Sequence, residues 1–141
     1  MAYARLASTG ACLPKRVITN QDLEKTLDTS DAWIVARSGI RKRHVVDEDE
    51  RLIDLAYAAG KQALERSGLA PEAIDLVLVC TSTPDSAMPS TACVLQGMLG
   101  IQSGPAFDLN AACSGFLYGL KTANQWIALN EAKHVLLIGA D

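Results

Sequence analysis

The sequence has no apolar run approaching the roughly 18 residues that span a bilayer, and residues 1–10 lack the charged start and continuous apolar core of a signal peptide. A cytoplasmic protein is therefore expected, with no membrane partner. There is no Cys-x-x-Cys pair: the four cysteines, Cys12, Cys80, Cys93 and Cys113, stand at long, unequal intervals. That spacing argues against a zinc site and against a compact disulfide framework, so no metal is expected. There is no excess of positive charge either: the formal net charge of -3 offers no global attraction to nucleic acid or an anionic surface. One local basic patch stands out, at Arg41, Lys42 and Arg43.

What is present is the balance of a globular domain, 49% hydrophobic and 21% charged over 141 residues, enough to bury a real core. No repeat, low-complexity tract or long linker divides residues 1–141. Short apolar runs alternate with amphipathic stretches, the pattern that builds a mostly parallel sheet flanked by helices. Tyr3 to Cys12 reads as a buried strand. Thr19 and Asp22 form the capping box of a short helix, Asn20 to Leu27. Ser30 caps a second helix that carries Trp33 and Arg37 and ends at Gly39, and Ile40 to Val46 returns as extended chain. The next helix places Leu52, Leu55, Ala56, Ala59, Ala63 and Leu64 on one face and stops at Gly68.

Leu76 to Thr81 is apolar throughout, as a strand buried on both faces should be. The turn-rich segment STPDSAMPS follows, then a helix from about Ser90 to Leu99, a strand Pro105 to Leu109, a helix Cys113 to Leu129, and a strand His134 to Ala140. This gives α/β class with four strands. A buried strand such as HVLLIGA normally continues into a covering element, so the chain is expected to be the front part of a longer one.

Four features are candidates for chemistry, each with a plain alternative. Cys113 sits where a strand hands over to a helix; a helix N-terminus offers free N–H groups and partial positive charge, the setting that favours a thiolate and steadies an oxyanion. The alternative is a small residue filling a crowded joint. Gly115, Gly119 and Ala123 form a smooth helical stripe that implies a close-packed partner helix, and nothing within the sequence supplies one. Trp33 and Arg37, four apart, can clamp a flat ring between indole and guanidinium, or be an ordinary core tryptophan with a surface arginine. Met88 precedes a capped helix and on its own reads as an ordinary loop residue.

The rest of the inventory is plainer. Cys12, Cys80 and Cys93 read as packing residues. The two histidines give Cys113 no convincing base. His44 lies in the basic run IRKRH and reads as solvated, while His134 opens the last strand at the end of the sheet opposite to Cys113.

Taken together, DTSDAWIVARSGIRKRH (28–44), PSTACVLQGMLG (89–100) and PAFDLNAACSGFLYGL (105–120) resemble β-ketoacyl-acyl-carrier-protein synthase III, in order and spacing over the whole chain. The resemblance implies a thiolase-like fold of which residues 1–141 are the N-terminal half, with a central helix following the nucleophilic cysteine. It implies that Cys113 takes an acyl group from acetyl-CoA or another short acyl-CoA and passes it to malonyl-acyl-carrier protein with loss of carbon dioxide. Trp33 and Arg37 match the pair that holds the coenzyme A adenine, with Thr29 beside them. Met88 matches a position where the family often has phenylalanine reaching into a partner subunit's acyl pocket.

Acyl-CoA is then a substrate, with no tightly bound cofactor, and the protein is expected to be a homodimer joined through the strand at Pro105 to Leu109. Arg41, Lys42 and Arg43 are candidates to attract the acidic carrier protein. The family's histidine and asparagine lie in the second half, so residues 1–141 alone are expected to be inactive. Rival readings are a related coenzyme-A-dependent condensing enzyme of secondary metabolism, or a non-catalytic fragment contributing only fold and dimer interface. A thiol redox protein is disfavoured because no resolving cysteine lies near Cys113.

Overall fold

A computed structural model describes residues 3–141. They form two compact units, Leu13–Arg51, and the residues up to Cys12 together with Leu52–Asp141. In the smaller unit, β1 (Arg16–Thr19) and β2 (Lys42–Val45) pair antiparallel, with Arg16 opposite Val45 and Thr19 opposite Lys42. Helix α1 (Asn20–Glu24) opens with the expected capping box: the Asp22 N–H donates to Thr19 Oγ1 and the Thr19 N–H to Asp22 Oδ2. It is shorter than expected, because the Lys25 and Thr26 N–H groups close onto Asp22 and Leu23 in tighter i−3 turns. Helix α2 (Asp31–Ser38) is bounded as the sequence indicates. Ser30 Oγ accepts the Trp33 N–H at 3.2 Å, and Gly39 at φ 72° takes the left-handed stop position. The strand β1 was not foreseen; its short RVIT run carries little alternation.

The larger unit contains α3 (Leu52–Ser67), β3 (Leu76–Cys80), α4 (Thr91–Met98), β4 (Ala106–Leu109), α5 (Gly115–Ala128) and β5 (Val135–Gly139). Its sheet is three parallel strands in the order β4-β3-β5. All five residues of β3 are buried, which is why its sequence is apolar without alternation. Val77 and Val79 face the larger core cluster with Ile53, Ala56 and Leu95 of α3 and α4. Leu76 and Leu78 face the opposite way, to Ala123 of α5. The result is a helix–sheet–helix sandwich, with both faces of the parallel sheet covered.

Two expectations are corrected here. Tyr3 to Cys12 is not a buried strand: it joins no ladder and is largely exposed, with Tyr3 at 76% and Leu6 at 77%. Part of its backbone is bonded by side chains instead. The Ala4 N–H donates to Asn124 Oδ1, the Ala11 N–H to Gln62 Oε1, and Arg66 Nη1 to the Thr9 carbonyl. The buried face of α3 is also turned relative to the expected one, running through Ile53, Ala56, Gly60 and Leu64. The small residues Ala59 and Ala63 instead face the N-terminal segment, where Gly10 comes so close to the Ala59 carbonyl and the Ala63 amide that no side chain fits.

Candidate active site

The joint between β4 and α5 is built from small residues under local strain. After Leu109 the chain turns through Asn110, whose Oδ1 accepts the Ala112 N–H at 3.3 Å, into a single 3-10 turn at Ala112–Ser114. Ala112 has φ 44°, a left-handed conformation that costs a non-glycine residue about 1–3 kcal/mol and survives only where the surroundings enforce it. Cys113, the next residue, is exposed. It stands in the 3-10 turn that runs directly into α5 at Gly115 rather than inside the helix, which corrects the expected helix start. Because the strands are parallel, this joint lies beyond their carboxyl ends, the side on which open α/β sheets place their sites.

Behind the joint, α5 is pressed onto the sheet. A Cβ added at Gly115 would meet Cys80 Cβ at 3.4 Å; one at Gly119 would stand 2.5 Å from Cys80 Sγ and 2.6 Å from Leu137 Cδ1. The glycine stripe thus has its close partner within the chain, and that partner is the sheet, not another helix. Smooth stripes fit either surface, which is why periodicity did not decide between them. The opposite side of α5 exposes Phe116, Leu117, Tyr118 and Leu120.

Carboxylates fix the elements around the joint. Asp108, an acidic residue inside β4, accepts the Thr91 and Ala92 N–H groups at 2.8 and 2.7 Å and so caps α4 from the strand that leads to Cys113. Asp85 in the loop before α4 accepts the Ile53 N–H of α3 at 3.0 Å. Asp141 Oδ1 accepts from the Ser82 N–H at 2.7 Å and from the hydroxyls of Thr81, Ser82 and Thr83. The Ser82 backbone bond above all holds the Asp141 carboxyl below its ordinary value, against the opposing effect of burial. Met88 projects from this anchored loop and is 87% exposed.

The remaining cysteines separate by environment. Cys80 is buried and its thiol is pushed up chiefly by burial, which outweighs a backbone hydrogen bond from Gly119. It is a packing residue, as expected. Cys93 is not: it is exposed on α4, off the buried face of Thr91, Ala92 and Leu95, and its thiol donates to the Ala106 carbonyl at 3.3 Å. Cys12 is half-buried.

His134 stands at the start of β5, its Nδ1 2.9 Å from the Ala73 carbonyl, on the opposite end of the sheet from Cys113. An apolar cavity of about 270 Å³ opens between residues 4–8, α5 and β5, and neither Cys113 nor Met88 lines it. Among the described residues no group of three or more His, Cys, Asp or Glu is placed to hold a metal ion.

In the smaller unit, Trp33 is 54% exposed and the Arg37 guanidinium carbon lies 4.3 Å from its ring centroid. The pair is brought together, but as a direct cation–π stack. A ring held between two flat groups needs about 7 Å between them, so this arrangement leaves one face of the indole covered by Arg37 and the other available. Thr29 precedes the Ser30 cap, its N–H bonded to the Leu27 carbonyl at 3.0 Å. His44 is half-buried with Nδ1 2.7 Å from the Pro14 carbonyl, not solvated as expected, because β2 turns it toward the chain that enters β1. Of the basic run, Arg43 is committed to Asn20 Oδ1 at 2.6 Å, leaving Arg41 and Lys42 exposed. Sequence reasoning missed Asn20, Asp108 and Asp141. Asp108 had a readable signal, a charge inside an otherwise apolar strand, whereas Asn20 had none.

Comparison with known proteins places this geometry. A family model described as 3-oxoacyl-[acyl-carrier-protein] synthase III matches residues 107–141, the stretch that contains Cys113. The crystal structure of 3-oxoacyl-[acyl-carrier-protein] synthase III from Aquifex aeolicus superposes with a TM-score of 0.90 at 47% identity, over 94% of this chain and 43% of that one. The priming β-ketosynthase of the R1128 polyketide pathway superposes with a TM-score of 0.91 at 33% identity, over 97% of this chain and 41% of that one. The fold is thus that of the thiolase-like condensing enzymes, as the sequence led one to expect.

Within that class the sequence is specific. It is 54% identical to the β-ketoacyl-[acyl-carrier-protein] synthase III of Thiobacillus denitrificans over 100% of this chain and 44% of that protein. Over its whole length the chain is similar to β-ketoacyl-acyl-carrier-protein synthase III, and it spans less than half the length of the curated relatives it matches.

Proposed function

We propose that residues 1–141 are the N-terminal half of a β-ketoacyl-acyl-carrier-protein synthase III and carry its acyl-accepting cysteine. The Cys113 thiolate attacks the thioester carbonyl of acetyl-CoA or another short acyl-CoA. A carbon–sulfur bond forms to Cys113, the bond to coenzyme A breaks, and coenzyme A leaves as its thiolate and takes up a proton. Loss of carbon dioxide from malonyl-acyl-carrier protein then generates a carbanion that attacks the acyl-Cys113 carbonyl. The β-ketoacyl product stays on the carrier protein and the Cys113 thiolate is released.

The observation that carries this reading is the exposed Cys113 on the strained turn between β4 and α5, set against the buried thiol of Cys80 one element away. The groups that assist decarboxylation in this family, a histidine and an asparagine, have no counterpart in these residues, so turnover belongs to the complete protein. Trp33 offers the coenzyme A adenine a stacking face, backed by Arg37, with Thr29 alongside. Met88 reaches toward an acyl pocket of a second subunit in a homodimer joined at β4, an edge strand with one side unpaired among the described residues. No cofactor is tightly bound on this reading, and acyl-CoA is a substrate. No helix among the described residues is long and apolar enough to cross a membrane, which fits an enzyme working in the cytoplasm.

A second reading, a priming condensing enzyme of secondary metabolism with the same cysteine chemistry, is favoured by the close superposition on the polyketide β-ketosynthase. Incubating the complete protein with radiolabelled acetyl-CoA tests the main reading. Label should appear on Cys113 and be lost in Cys113→Ala; equal labelling of the variant refutes it. Transfer of the acyl group to malonyl-acyl-carrier protein is shared by both readings. Which acyl-CoA primes fastest separates them.

A further inference from the structure

The smaller unit, Leu13–Arg51, is not organised by an apolar core. Its only buried residues are Asn20 and Ile34, and both hydrophobic clusters among the described residues lie in the other unit. Asn20 is wholly buried, at 0% exposure, and its amide is bonded on every side. Nδ2 donates to Asp31 Oδ1 at 2.7 Å and to the Ile40 carbonyl at 2.8 Å, while Oδ1 accepts from Arg43 Nη1 at 2.6 Å. Its backbone N–H donates to the Arg41 carbonyl at 3.2 Å. The orientation of the amide is fixed by its neighbours, because a guanidinium can only donate and two carbonyl-type oxygens can only accept.

Two of those partners bracket a single helix. Asp31 is the first residue of α2, and Ile40 follows the Gly39 that ends it. An eight-residue helix is marginal on its own, and the apolar anchoring of α2 is limited to one buried residue, Ile34. Trp33 and Arg37 lie between the two points of attachment, and Trp33 is too exposed to be oriented by its own burial. The aim of the indole face therefore depends on the amide that ties both ends of its helix to β2.

We propose that Asn20 is a positioning residue for the ring-stacking face of Trp33, setting the affinity for the acyl-CoA substrate without touching it; this rests on the reading of Trp33 as the adenine-stacking residue. In Asn20→Asp a carboxylate oxygen replaces the donor opposite Asp31 Oδ1 and the Ile40 carbonyl, leaving buried acceptors facing one another.

The test is steady-state kinetics on the full-length protein with acetyl-CoA as the varied substrate, together with direct titration of coenzyme A. Asn20→Asp should raise KM for acetyl-CoA and the Kd for coenzyme A by about tenfold with kcat altered less than about twofold, the pattern of lost uniform binding. Should that variant not fold, Asp31→Ala, which removes one of the two attachments at the helix, should shift KM and Kd in the same direction with kcat retained. Trp33→Ala, run in parallel, should weaken coenzyme A binding. If Trp33→Ala leaves the affinity unchanged, the stacking reading fails and this inference with it. If Trp33→Ala weakens binding while the folded Asn20 or Asp31 variant binds as the wild type does, or loses kcat in place of affinity, the positioning role alone is overturned.

Discussion

The Gly119 backbone lies directly against the Cys80 thiol, so that a methyl group at position 119 would stand 2.5 Å from Cys80 Sγ and 2.6 Å from Leu137 Cδ1. Both neighbours are on strands of the central sheet, and at least one of these side chains must shift to admit the methyl group. Gly119→Ala should therefore destabilise by about 1–3 kcal/mol despite alanine's better helix propensity. Chemical denaturation of the glycine and alanine forms measures it. Adding Cys80→Ala should recover part of the loss, and a stabilised Gly119→Ala would show that α5 is free to lift.

Asp108 ties β4 to α4 through two charge-assisted bonds to the Thr91 and Ala92 amides. Asp108→Ala should cost about 2 kcal/mol of stability, in the range for losing a helix cap and hydrogen bonds to a charged group. Asp108→Asn, which keeps one acceptor, should cost less. Equal midpoints for all three proteins in urea would contradict the capping role.

The cysteines should differ in reactivity by environment. In the native state iodoacetamide should modify Cys113 and Cys93, both exposed, and spare Cys80, which is buried with its thiol pushed up by that burial. Peptide mass mapping before and after denaturation checks this, with Cys80 labelled only in the denatured sample.

Acid should loosen the start of β5. Asp75 Oδ2 accepts the Lys133 and His134 N–H groups at 2.7 and 2.9 Å, and these bonds, that from His134 foremost, hold its carboxyl below the ordinary value of 3.8. A carboxyl lowered by folding contributes stability above that ordinary value, and the contribution disappears as the pH falls through the folded-state value. Asp75→Asn should therefore be less stable than the wild type at neutral pH, with the difference shrinking as the pH drops below about 3.8. A constant difference across that range would contradict the assignment.

Much of this was legible in the sequence, and what was missed has a common cause. Ser30, Gly39, Thr19 and Asp22 announce helix ends through local hydrogen bonds, and the continuous apolar LVLVC announces a strand covered on both faces; such signals lie within a few residues of their effect. The site's supports do not. Asn20 acts through Asp31, Ile40 and Arg43, and Asp141 through Thr81 to Thr83, pairings that exist only once the chain has folded back. Tyr3 to Cys12 misled because small and apolar residues suit a strand equally well as they suit a surface segment whose backbone is bonded by Asn124, Gln62 and Arg66. Cys113 itself was found by its position, and its weight as a nucleophile came from the family resemblance.

The most direct test of the central claim is acylation of the complete protein by radiolabelled acetyl-CoA, followed by peptide mapping. The account predicts one labelled peptide, containing Cys113, and none in Cys113→Ala. Label on any other residue, or undiminished label in the variant, would contradict it.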